Sequence, residues 1–154
     1  CLVGSEMCIR DRLQEGCPGW MYQIKCGATT TWERWDALKP DGTVNEEKMA
    51  GSGDNMVSFN HYAFGSVGEF YYQYILGIKP QKPGFAELHF EPYPDRRLGG
   101  VSGSYLSRAG KIESSWKYEE DGCHISLNTP VKSEVVLPNG QRETVEEGTY
   151  QWLC

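Results

Sequence analysis

Lys79-Pro80-Gln81-Lys82-Pro83-Gly84 divides the chain. Two prolines this close together cannot continue a helix, and each pushes its predecessor towards extended backbone, so the stretch reads as an extended linker. Before it the pattern is helical and rich in aromatic residues. After it apolar and polar residues alternate, with turn formers at short intervals. The expected organisation is therefore α+β in two parts: a helical region at 13–79, a linker at 80–84 and an antiparallel β-sandwich at 85–154.

The strands are read at 85–91, 100–108, 111–119, 123–128, 134–137, 141–145 and 149–152. Ala109-Gly110, Asp121-Gly122, Pro138-Asn139-Gly140 and Glu147-Gly148 separate them. Short Asp-Gly and Asn-Gly steps between alternating segments signal hairpins. Trp116 shares a strand face with Ile112 and Ser114, so it is expected in the core.

In the first part, Phe59, Ala63, Val67, Phe70, Tyr74 and Ile78 recur at steps of three and four, which predicts one inner helix over 59–78. Ser58 or Asn60 can cap its start. Gly65 and Gly68 lower its helix propensity, and their expected use is close approach of a neighbour. The polar stretch at 37–57 reads as a surface loop, with a turn at Pro40-Asp41-Gly42 and a flexible point at Gly51-Ser52-Gly53.

The chain has 154 residues, 15 Lys plus Arg against 21 Asp plus Glu, and a net charge of -6. This is globular composition. An acidic balance without a basic cluster argues against nucleic acid and against an anionic membrane surface as partner. The apolar run at 70–78 is too short to cross a bilayer, so the chain reads as soluble. Residues 1–12, CLVGSEMCIRDR, have neither helical nor strand period and resemble the translation of sequencing-adapter read-through. They are set aside here as a tag would be, and because they hold two basic and two acidic residues the charge balance is unaffected.

Cys17, Cys26, Cys123 and Cys154 are scattered, with no CxxC and no paired Cys/His spacing, so no metal site is expected. Cys17 and Cys26 could pair or remain thiols, which leaves the redox compartment open. No Gly-rich phosphate loop or activated nucleophile is present either, and no cofactor is expected.

Two clusters can carry chemistry. In Gly27-Ala28-Thr29-Thr30-Thr31-Trp32-Glu33-Arg34-Trp35-Asp36, two tryptophans bracket a Glu-Arg pair. Indole faces stack on the C–H face of a pyranose, while carboxylate and guanidinium groups suit its hydroxyls. A Glu33–Arg34 surface pair beside core tryptophans explains the same residues equally well. The second cluster, Ser58-Phe59-Asn60-His61-Tyr62-Ala63-Phe64-Gly65-Ser66, places an amide, an imidazole and a phenol at the start of the predicted helix.

GATTTWERWD, SFNHYAFGSVGEF, the PGF opening of the second part, S-x-x-G-K-I-x-S-x-W and V-V-L-P-N-G occur here in one order. Together, over 18–152, they resemble the C-terminal end of bacterial α-L-rhamnosidases. The resemblance implies a partial (α/α)6 barrel followed by a β-sandwich, and an inverting glycoside hydrolase acting on a rhamnose-containing glycoside or polysaccharide. It assigns Glu33 as the general base and His61 as a contact to rhamnose, with Trp32, Trp35 and Asn60 as further substrate-binding residues. Inversion needs a second carboxyl roughly 6.5 to 9.5 Å from the first, on the other side of the anomeric carbon. That acid is expected outside this chain, because Asp36, Asp54 and Glu69 read as structural. The isolated segment is accordingly expected to be inactive and poorly soluble. Cys17-Pro18-Gly19 and Cys26 depart from the family pattern without touching Glu33. Two other readings remain: a different (α/α)6 glycosidase, and a non-catalytic carbohydrate-binding β-sandwich using Trp116, Tyr118 and Tyr105.

Overall fold

The computed structural model describes residues 19–46, 57–62 and 65–154. The segment 1–12, Cys17, Asp54 and Ala63 lie outside the described residues. The chain forms two compact units, Cys1–Val67 and Gly68–Cys154. No helix among the described residues is long and apolar enough to cross a membrane.

The first unit contains α1 (Trp20–Lys25). Gly27 ends it at φ +83. There Gly27 N–H donates to Ile24 O at 2.9 Å and Ala28 N–H to Gln23 O at 3.0 Å. This pair of bonds satisfies carbonyls that the helix end would otherwise leave open, and it needs a residue without a side chain at the left-handed position. The chain then runs through 29–36 to the predicted turn at Pro40-Asp41-Gly42. The turn is closed by Lys39 N–H on Thr43 O at 2.8 Å and by a Leu38–Val44 bridge. The Asp41 carboxylate takes both the N–H and the hydroxyl of Thr43, which holds its pKa below the usual value.

The short helix α2 (Val67–Phe70), whose first residue is the last of the first unit, passes into a π-helical turn at Tyr71–Ile75 in the second unit. The helix predicted from residue 59 therefore begins eight residues late. The reason is that the backbone at 58–61 is already bonded to 31–33, with His61 N–H on Thr31 O, and is not available for helical bonding. Gly68 has open space where a side chain would stand, so it serves no close approach among the described residues. Gly77 does: its φ is +74, and a Cβ there would lie 2.3 Å from Pro92 N.

Eight strands follow: β1 (Ile78–Pro80), β2 (Leu88–Phe90), β3 (Gly100–Ser107), β4 (Gly110–Glu119), β5 (Gly122–Thr129), β6 (Ser133–Val136), β7 (Arg142–Val145) and β8 (Gly148–Leu153). They form two four-stranded sheets, ordered β1-β2-β6-β7 and β3-β4-β5-β8. The helical part is thus followed by a β-sandwich, as the alternation predicts. The hairpin turns at Ala109-Gly110, Asp121-Gly122 and Pro138-Asn139-Gly140 join β3–β4, β4–β5 and β6–β7. Three features differ from the expectation. β1 is an added edge strand. β2 and β6 pair in parallel. Glu147-Gly148 is not a hairpin, because it carries the chain from β7 to β8 in the other sheet.

The core of this unit is built from alternate residues of the strands. Ile78, Leu88, Phe90, Ile112, Trp116, Ile125, Leu127 and Val135 are all fully buried. Trp116 is 1% exposed, and its indole N–H donates to Ile75 O at 2.7 Å. The Ser114 hydroxyl donates to Leu76 O, also at 2.7 Å. Sheet side chains thereby satisfy carbonyls at the end of the helical turn, which have no intrahelical partner.

Candidate active site

Residues 30–33 lie against 58–61 in the first unit. Glu33 N–H donates to Ser58 O at 2.9 Å, and His61 N–H donates to Thr31 O at 2.8 Å. Side chains add to these bonds: Ser58 N–H donates to Glu33 Oε2 at 2.9 Å, while the Thr31 and Thr30 hydroxyls donate to His61 O and Phe59 O, each at 2.6 Å. Two clusters almost 30 residues apart in sequence thus become one surface.

Trp32 is 3% exposed and meets the Phe59 ring edge-on at 5.2 Å, whereas Thr31 and Glu33 are half-buried. Trp32 backs the segment and Glu33 reaches the surface. On the facing segment Asn60 is exposed and His61 half-buried, its ring stacked on Tyr62 at 5.0 Å. Tyr62 is 88% exposed. Trp35, half-buried, takes the edge of Trp20 at 6.2 Å.

Arg34 pairs with Asp36 rather than with Glu33. Its guanidinium forks onto Asp36, with Nε at 3.1 Å from Oδ1 and an Nη at 3.2 Å from Oδ2, and Asn45 donates to the same carboxylate at 2.9 Å. A carboxylate held by a bidentate guanidinium and an amide braces this stretch of chain. The Glu33 carboxylate instead accepts a backbone N–H. From α1, Gln23, itself 3% exposed, accepts the Trp32 N–H at 3.3 Å, and the Tyr22 hydroxyl donates to Leu38 O at 2.9 Å. From sequence alone the threonines, Gln23 and Asn45 have no assigned role, and Ser58 has only that of a helix cap. The Thr29-Thr30-Thr31 run was visible as a β-branched stretch, but which carbonyls it would grip depends on a segment beyond a long loop.

In the second unit, Glu119, Asp121 and His124 form the only group of three potential metal-ligating side chains among the described residues. All three are exposed. His124 lies 2.8 Å from Asp121 and 3.8 Å from Glu119. The bond to Asp121 raises the imidazole pKa and lowers that of Asp121, and Lys117 lowers that of Glu119. Their proximity is that of a surface ion cluster. Of the aromatics considered for a carbohydrate platform, Trp116 is buried, the Arg96 guanidinium covers Tyr118 at 4.4 Å, and Tyr105 packs on Phe85 at 4.8 Å.

Two family models match the chain in succession. Residues 4–75 match the bacterial alpha-L-rhamnosidase 6 hairpin glycosidase domain, and residues 77–151 match the bacterial alpha-L-rhamnosidase C-terminal domain. An alpha-L-rhamnosidase from Alteromonas sp. (strain LOR) is 38% identical over 127 residues, covering 81% of this chain and 13% of that protein. One from Streptomyces avermitilis is 34% identical over 137 residues, 86% of this chain and 13% of that protein. Among solved structures, the native rhamnosidase from Aspergillus terreus superposes with a TM-score of 0.81 at 32% identity, covering 94% of this chain and 16% of that one. The Streptomyces avermitilis enzyme complexed with L-rhamnose gives 0.78 at 29% identity, covering 93% and 15%. The chain therefore spans 13% of the length of the curated relatives it matches. It belongs to the bacterial α-L-rhamnosidase family.

Proposed function

We propose that this member of the family carries the general base of an inverting α-L-rhamnosidase, which removes terminal α-L-rhamnosyl residues from a rhamnose-containing glycoside or polysaccharide. The observation that carries the reading is the pairing of 30–33 with 58–61, which sets the Glu33 carboxylate beside the segment bearing Asn60 and His61. One carboxylate oxygen, Oε2, is held by Ser58 N–H. This bond fixes the side chain while Oε1 is left to take a proton from water as that water attacks the anomeric carbon. Asn60 and His61 then offer donors and acceptors to sugar hydroxyls, Trp35 offers an indole wall, and the buried Trp32 supports the segment from behind.

Inversion also requires a general acid across the sugar from Glu33, at roughly 6.5 to 9.5 Å. The engagement of Asp36 by Arg34 and Asn45 supports placing that acid outside this segment. The test uses the complete reading frame that contains this segment, with an aryl α-L-rhamnoside as substrate. Glu33→Gln is expected to lower kcat on the order of 10³-fold with KM little changed. Proton NMR of the first-formed sugar is expected to show the β-anomer. An active Glu33→Gln variant would move the base elsewhere, and retention of configuration would make Glu33 a nucleophile rather than a base.

A further inference from the structure

We propose that Thr31 is a positioning residue whose hydroxyl locks the register between the two site segments and thereby sets His61 and Asn60 against Glu33. The inference rests on the reading of Glu33 and His61 given above. Glu33 is paired with Ser58 and Thr31 with His61, so one segment takes two peptide steps where the other takes three. This two-against-three count is the one a bulge makes between paired strands, a device that re-aims side chains. The surplus residue is absorbed locally: the Ser58 hydroxyl donates to Asn60 O at 3.0 Å and accepts from Asn60 N–H at 3.2 Å.

A bulge closed by backbone bonds alone can slip by one residue, and a slip of one turns His61 to the opposite face. The Thr31 hydroxyl opposes that slip. Together with the Thr31 carbonyl it grips both the N–H and the C=O of His61, at 2.8 and 2.6 Å, which closes a two-bond ring on that residue alone. The Thr31 hydroxyl and the Glu33 carboxylate both bond backbone of 58–61, so the grip and the carboxylate share one frame. Thr30 adds an exposed bond to Phe59 O. The Trp32–Phe59 ring contact does not involve the hydroxyl.

The test compares wild type, Thr31→Val, Thr31→Ser and Glu33→Gln in the complete reading frame, by kcat and KM on an aryl α-L-rhamnoside and by thermal midpoint. Valine keeps the shape and loses the hydroxyl; serine keeps the hydroxyl. Thr31→Val is expected to lower kcat/KM about 100-fold, shared between a lower kcat and a higher KM, because reacting groups misplaced by about 1 Å forfeit rates of that order. Its midpoint is expected to stay within about 3 °C of wild type. Thr31→Ser is expected to recover most of the loss. The lock is overturned by a Thr31→Val variant within twofold of wild type, by a serine variant as impaired as valine, or by a kcat that falls at constant KM together with the midpoint. The last outcome is what a mere loss of folded enzyme produces. An inactive wild type, or an undiminished Glu33→Gln, overturns the functional reading and the lock with it. A dead Glu33→Gln beside an unaffected Thr31→Val overturns the lock alone.

Discussion

The sandwich and the site segments are held by different kinds of bond. In β3, β4 and β5 every residue is placed by a neighbour in an unbroken ladder, and burial alternates along β4 and β5 with the period of the strand. The site segments have few ladder bonds. They are fixed by two hydroxyls and a carboxylate acting on backbone groups 25 to 30 residues distant. Damage to the first should therefore cost stability, whereas damage to the second should cost geometry while leaving the fold standing. The contrast can be broken by experiment.

The largest effect on stability is expected from Trp116→Ala. It removes a side chain 1% exposed and leaves Ile75 O without its donor. The loss should be about 4 kcal/mol in urea denaturation. The remaining folded enzyme should keep its KM, and a raised KM would show that the sandwich reaches the chemistry. Gly77→Ala comes next. A Cβ at φ +74, 2.3 Å from Pro92 N, forces backbone to move, and about 2 kcal/mol or more should be lost. A neutral result would mean that the turn before β1 relaxes freely. The smallest effect concerns Glu91, whose pKa is lowered first by the bond from Lys79 at 2.8 Å and also by His89. A depressed carboxyl adds stability that is complete at neutral pH, starts to fall below the ordinary value near 4.5 and is gone below the lowered folded value. Glu91→Gln should thus be less stable than wild type at pH 7 by under about 1 kcal/mol, and equal to it near pH 2. A gap that persists in acid would assign the effect to packing.

Much of the sandwich was legible, because strand alternation and turn residues are local signals. The expected 111–119 became Gly110–Glu119 and 123–128 became Gly122–Thr129, with Asp121-Gly122 at the turn between them. β1 was not legible: three residues carry no period, and Pro80 argued against a strand. It is tolerated there because β1 is an edge, where a missing N–H breaks no ladder. The parallel β2–β6 pair was hidden for a different reason, since nothing in either strand states its partner's direction. In the site, Glu33 and His61 were named through family motifs, and Trp32 was open between wall and core until its burial was seen. The helix start was misread because the step of three and four in Phe59, Ala63 and Val67 looks the same whether or not the backbone is free to coil. Here Thr31 had already taken the N–H of His61.

The bonds from Trp116 to Ile75 and from Ser114 to Leu76 also impose an order in time. They close stretches of 41 and 38 residues, whereas the β3–β4 and β4–β5 turns close only a few. Long closures cost more chain entropy and are favoured only once their receiving surface exists. The β3–β4–β5 meander is thus expected to form first in this unit, with the helical turn at Tyr71–Ile75 seated on it afterwards; hydrogen exchange on heating should then show the amides of 71–76 opening before those of the meander.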